Sequence, residues 1–119
     1  MSSIRKPVQL QWTLHARAKM NHYRLTPSRV RHVLHSPKRV EEGVAPKTVA
    51  MMQPVSMKLV GKRESWTQEI WVMIQDAKDG RKVISAWRYP GITKPRDAAF
   101  LKKEYGEFLS DDAAGQIAE

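Results

Sequence analysis

Apolar and polar positions along the chain change period several times, and each change marks an element. Val8 and Leu10 share one face of an opening strand over residues 4–11, and Pro7, with no N–H to give, puts that strand at a sheet edge. From Thr13, a suitable N-cap, the period becomes helical. Ala16, Met20 and Tyr23 fall at i, i+4 and i+7, and predict a core stripe on a helix ending near Tyr23. His15, Lys19 and His22 repeat the same spacing on a neighbouring face that should meet water or a ligand. A second helix has sharper punctuation, with Thr26 as cap, Pro27 at its first position and Pro37 as its stop. Val30, Val33 and Leu34 point it at the core. The Arg24-Leu25 connection admits only a tight helix pair.

After Gly43 the pattern is extended. Lys47–Gln53 and Val55–Val60 read as strands broken by Pro54, and Gly61 to Glu64 as a turn. Trp66 to Gln75 is apolar on both faces over Ile70–Ile74, which places it centrally in a sheet, with Trp71 in the core. Asp79-Gly80 turns the chain into an antiparallel partner over Lys82–Tyr89. There Val83, Ser85, Trp87 and Tyr89 should face one way and Ile84, Ala86 and Arg88 the other. A third helix opens at Pro95 or Asp97 and carries the stripe Ala98, Leu101, Tyr105, Phe108. The expectation is one α+β domain over residues 1–110. Two N-terminal helices pack on an antiparallel sheet of about four strands, with a C-terminal helix beyond it. Residues 111–119, acidic and weakly apolar, read as a flexible tail that could fold back on a basic site.

Composition sharpens this picture. A chain of 119 residues with 41% hydrophobic content can bury a real core, and no apolar run approaches a membrane span. The N-terminus lacks an apolar segment of signal-peptide length, and with no cysteine there is neither disulfide framework nor thiolate chemistry. A cytoplasmic protein is expected. The net charge is +9, and it is uneven: all 21 lysines and arginines but only nine of the 12 acids precede residue 111, which makes residues 1–110 +12. No acid precedes Glu41, whereas nine cations and all four histidines do. Such a field attracts polyanions.

Two uses of that patch follow. In the catalytic one, RNA is cleaved through its own 2′-hydroxyl, which needs a proton acceptor, a proton donor and cations for the charged phosphorane. His15 supplies the acid or base, Lys19 one turn on holds phosphate, and Arg88 at the end of the last strand is a second cation. In the non-catalytic use, Arg17, Arg24, Arg29 and Arg31 hold phosphates, His32 lies beside Arg29, and Tyr23 or Trp12 stacks on a base, while Tyr89, next to Arg88, is a further stacking candidate. A third possibility is that the basic face meets an acidic protein partner. Zinc is disfavoured, since no Cys, Asp or Glu stands in the helical pair to complete a ligand set, so no cofactor is expected. A DNA-binding helix-turn-helix lacks its usual three-helix support.

His15-Ala16-Arg17-Ala18-Lys19-Met20, then Thr26-Pro27-Ser28-Arg29-Val30 and Ser36-Pro37-Lys38-Arg39-Val40-Glu41, resemble an uncharacterised small-domain family with a His-Ala-x-x-Arg-Met helix, grouped with the RelE/ParE-like toxins. The resemblance covers residues 12–89. Lys19 stands where arginine is commoner, and Asn21-His22-Tyr23-Arg24 replaces the usual Glu-Arg-Gly. The resemblance implies a ribonuclease-like or translation-blocking toxin silenced by an antitoxin protein, with His15, Lys19 and Arg88 carried over by position.

Overall fold

The computed structural model describes residues 9–42, 45–95, 98–111, 113 and 115–118. Residues 4–8 of the expected first strand, the Gly43 boundary, Asp97, Asp112 and Glu119 lie outside them. The elements run β1 (Leu10–Thr13), α1 (Leu14–Tyr23), α2 (Pro27–His35), β2 (Arg39–Glu42), β3 (Thr48–Pro54), β4 (Lys58–Val60), β5 (Arg63–Ser65), β6 (Gln68–Ala77), β7 (Gly80–Pro90), α3 (Ala98–Ser110) and β8 (Ile117–Ala118).

Both N-terminal helices start where the sequence puts them. Thr13 Oγ1 accepts from Ala16 N at 3.0 Å, and Thr26 Oγ1 accepts from Arg29 N at 3.0 Å, each satisfying an N–H that has no partner inside its helix. Between the helices Arg24 takes a left-handed conformation (φ 56°, ψ 48°) that turns α1 sharply into α2.

The sheet differs from the expectation of about four antiparallel strands. It is mixed and six-stranded, in the order β2-β3-β6-β7-β1-β8, with β4 and β5 forming a separate two-stranded sheet. β1 runs parallel to β7, with Leu10 opposite Arg81 and Trp12 opposite Val83, while the other pairs are antiparallel. A parallel neighbour requires a crossover, and the helical pair belongs to it. The sequence hides β2 because Arg39-Val40-Glu41-Glu42 is a short edge strand with one exposed face. It hides β8 because two residues of an acidic tail carry no periodicity. Where a frayed end was expected, Ile117 and Ala118 pair with Thr13 and Trp12.

Apolar clusters fill both sides of the sheet. Val30, Val33, Met20 and Ala16 pack with Ile70, Val72, Ile74 and Ala86 beneath the helical pair. Trp71, Trp87, Met73 and Ile84 pack with Leu101 and Phe108 of α3 on the opposite face. The Trp71 and Trp87 rings lie 6.2 Å apart and nearly parallel, each fully buried side chain being worth about 1.5–3 kcal/mol. One sequence-based assignment is reversed here. The β6–β7 register shifts between Met73 and Ile74, so Ile84 is an extra residue in β7. Val83 therefore joins Ala86 under the helical pair, and Ile84 joins Trp87 under α3. A strict alternation through residues 83–89 fails at this bulge.

Candidate nucleic-acid interface

The polar stripe of α1 does not face solvent as one surface. His15 is buried, its ring edge-on to Phe108 of α3 at 5.6 Å. Its Nδ1–H donates to Asp111 Oδ2 at 3.1 Å, and its Nε2 is buried without a partner among the described residues. His15, helped by the Ala113 N–H, holds the Asp111 carboxyl below the usual range. One turn on, Lys19 Nζ lies 3.0 Å from Glu104 and 3.2 Å from Glu107, both on α3. Burial works to lower the Lys19 pKa, but the two carboxylates outweigh it and the net direction is upward. Glu104 moves up as well, because its own burial exceeds what Lys19 returns. Of the pair's two directions, the Glu104 shift marks the strained partner, since Lys19 divides its charge between two acids. Only His22 of the stripe is exposed.

Removing the cation of this pair should therefore expose the strain. Lys19→Met is expected to destabilise the fold by about 2 kcal/mol at pH 7, by leaving Glu104 largely buried without its partner. A carboxyl whose folded pKa is raised stabilises the fold below its unfolded pKa and loses that contribution as pH rises through the folded value. The deficit of the variant should then shrink as pH falls through the range where Glu104 takes up a proton. Urea melts of both proteins between pH 4 and 8 check this, and a deficit independent of pH would assign the loss to packing alone.

At the other end of α1 a second group of cations assembles. Arg88 Nε donates to Tyr23 O at 2.7 Å, and its terminal nitrogens reach Arg24 O and the Gln68 side-chain oxygen, each at 3.4 Å. A guanidinium on the carbonyls that end a helix suits the negative end of the helix dipole. Arg88 thus has a structural task in addition to any ligand role. Arg29, in the first turn of α2, donates through Nη1 to Gln53 Oε1, and that nitrogen lies 3.3 Å from His32 Nδ1. His32 Nδ1 is in turn 3.0 Å from Gln53 Oε1. Gln53 also donates through Nε2 to His32 O at 3.1 Å and Ser36 O at 2.6 Å, closing the C-terminal end of α2. Burial lowers the Arg29 pKa, and the charge of Arg88 lowers it further. The two guanidinium groups feel each other, and neither has a carboxylate partner among the described residues.

The remaining expected residues divide. Arg24 is exposed beside this pair. Arg17 and Arg31 bracket the buried Trp12 ring, at 4.7 Å and 5.3 Å from its centre, so both join the helical pair to β1. Tyr23 packs against both apolar clusters and meets His22 edge-on at 4.7 Å. Tyr89 belongs to the opposite face, where it packs on Phe100 with centroids 5.5 Å apart. The sheet therefore separates Tyr89 from Arg88. His15 and Arg88 are also apart: the first turn of α1 and its last carbonyls lie roughly 12 Å from each other at 1.5 Å per residue.

What assembles is a corner made of Arg24, Arg29 and Arg88 with His32. Sequence reasoning reaches all four but misses Gln53 and Gln68, which lie on β3 and β6 and orient Arg29 and Arg88. Polar residues in otherwise apolar strands are the signal that was present: Gln53 is buried at the end of β3 directly before Pro54. Among the described residues no three His, Asp or Glu side chains gather to hold a metal ion, and no helix is long and apolar enough to cross a membrane. Comparisons with protein-family models, curated proteins and solved structures return no match.

Proposed function

We propose that this chain binds nucleic acid, RNA in particular, through the corner formed by the α1–α2 turn, the first turn of α2 and the end of β7. One observation carries the reading: Arg88 is held on the Tyr23 and Arg24 carbonyls at the turn into α2, where its charge acts on half-buried Arg29, and neither guanidinium has a carboxylate partner among the described residues. Unrelieved repulsion of that kind weakens a fold, and a phosphodiester oxygen is the group that removes it. Arg24, exposed at the turn, extends the positive surface at the positive end of the α2 dipole. The geometry favours a binding module over a ribonuclease of the toxin type. His15 and Lys19 are held by Asp111, Glu104 and Glu107, and Arg88 stands at the far end of α1. An antitoxin-like acidic protein covering the same arginines is the alternative partner.

The test is salt-dependent binding of a labelled RNA oligonucleotide, read by fluorescence anisotropy. Each phosphate contact removed should lower the slope of log affinity against log salt by about 0.7–0.9 and weaken binding several-fold. Arg24→Ala and Arg29→Ala are each expected to do so. Slopes near zero, or slopes unchanged in both variants, would remove this corner from the interface.

A further inference from the structure

Beside the arginine corner is a cleft of about 390 Å³ whose lining is chemically mixed. Its lining combines the cationic and imidazole side chains Arg29, His32 and Lys38 with the apolar residues Pro37, Pro54, Val55 and Met57. The positive part is not uniform. Glu64 answers Lys38 through contacts of 2.7 Å and 2.9 Å, so the charge left for a ligand comes from Arg29, at the end nearest Arg88. Both parts of the lining are tied to the sheet, because Val55 N–H donates to Gln68 O at 3.0 Å and Lys38 N–H to Met52 O at 2.7 Å. Val55 and Met57 are nonetheless 38% and 49% exposed, large apolar side chains in the lining of a cleft that none of the described residues covers.

From this juxtaposition we infer that the cleft receives one unpaired nucleobase, with the phosphate joined to it lying on Arg29 and Arg88, and that the chain selects single-stranded over duplex RNA. The inference rests on the nucleic-acid reading above and adds the state of the strand. The volume lies near the lower end for small-ligand pockets, about 300–1,000 Å³, and suits one nucleotide rather than a longer segment. A flat ring needs an apolar or planar surface on its face, which Pro54, Val55, Met57 and the His32 imidazole supply within the same lining. Gln53 cannot read the base edge, since its oxygen and nitrogen are both engaged within the protein. Recognition is therefore by shape and stacking, with little preference among bases. A base paired inside an A-form helix shows its face to its neighbours and cannot enter.

The experiment compares a labelled twelve-nucleotide RNA of mixed sequence, the same strand annealed to its complement, and the same length with abasic sites at alternate positions. Wild type is compared with Val55→Ala/Met57→Ala, whose side chains are exposed enough for the fold to survive; circular dichroism and thermal melting verify that it does. Base stacking is worth about 1–3 kcal/mol per base, or roughly 5- to 150-fold in affinity. The single strand should bind wild type at least tenfold more tightly than the duplex or the abasic strand. The double variant should lose most of that advantage without weakening the duplex. Equal affinity for single strand and duplex, or a double variant that binds the single strand as wild type does, overturns the inference while leaving the arginine corner intact. No RNA binding by wild type at low salt overturns both.

Discussion

Replacing Glu69 with alanine is expected to cost the fold about 4 kcal/mol, the largest effect of any single polar substitution in the chain. Glu69 is fully buried at the start of β6, and each of its carboxyl oxygens accepts two hydrogen bonds. Oε1 accepts from Trp71 Nε1 at 3.0 Å and Thr93 Oγ1 at 2.7 Å, and Oε2 from Trp66 Nε1 at 2.9 Å and Thr93 N at 3.2 Å. Alanine leaves two indole N–H groups and two donors of Thr93 without an acceptor. A buried donor so orphaned costs about 1–3 kcal/mol, and half-buried Trp66 can turn to water, which brings the sum to the figure given. Glu69→Gln keeps the volume but aims an NH2 at one pair of donors, and about half the loss is expected. Midpoints of urea unfolding measure both. A loss below about 1 kcal/mol for Glu69→Ala would mean that water replaces the carboxylate without penalty.

The Glu69 cluster also bears on the site, because it fastens the segment that leads into α3. Thr93 is gripped from a second side by Arg39, whose Nη1 donates to Thr93 O at 2.6 Å while its guanidinium lies over the Trp71 ring at 5.2 Å. α3 in turn brings Glu104 and Glu107 onto Lys19 and leads to Asp111 on His15. A variant that frees the 91–95 segment should loosen the acids that hold the α1 stripe. This links a stability defect in the sheet to the exposure of His15 and Lys19.

Local patterns explain which parts of this arrangement were legible in the sequence. The helical pair was, down to its caps, because Thr13, Thr26, Pro27 and Pro37 each act on backbone groups within four residues. The central strand and its hairpin were too, because Ile70–Ile74 and Asp79-Gly80 state their roles within a few positions. The fate of the His15/Lys19 stripe was not. Its partners Glu104, Glu107 and Asp111 lie 85 or more positions away, and no periodicity in α1 registers a carboxylate on α3. The bulge at Ile84 escaped for the opposite reason, since it is a mismatch between two strands and neither carries it alone. Arg29 and Arg88 were each visible as cations, but their meeting depends on β7 ending where α1 turns into α2.

Gly80→Ala should be nearly as damaging as loss of Glu69, at about 3–4 kcal/mol, and for a reason that the Asp79-Gly80 turn signal only half reveals. Gly80 has φ +145°, a region essentially closed to residues with a Cβ and worth about 1–3 kcal/mol of strain. A Cβ at this position would also stand 2.6 Å from the Gln9 backbone oxygen. That oxygen accepts from Arg81 N at 2.9 Å, the bond that begins the parallel β1–β7 pairing with Leu10 opposite Arg81. Neither backbone can retreat without disturbing the register that carries β1 into α1. Gly61→Ala is the control: its φ of +66° is also left-handed, but nothing lies within 4 Å of the added carbon, so only the conformational cost of about 1–2 kcal/mol applies. The difference between the two variants isolates the close approach to Gln9. Thermal or urea unfolding of both variants is the measurement, and losses that agree within about 0.5 kcal/mol would show that β1 moves aside freely.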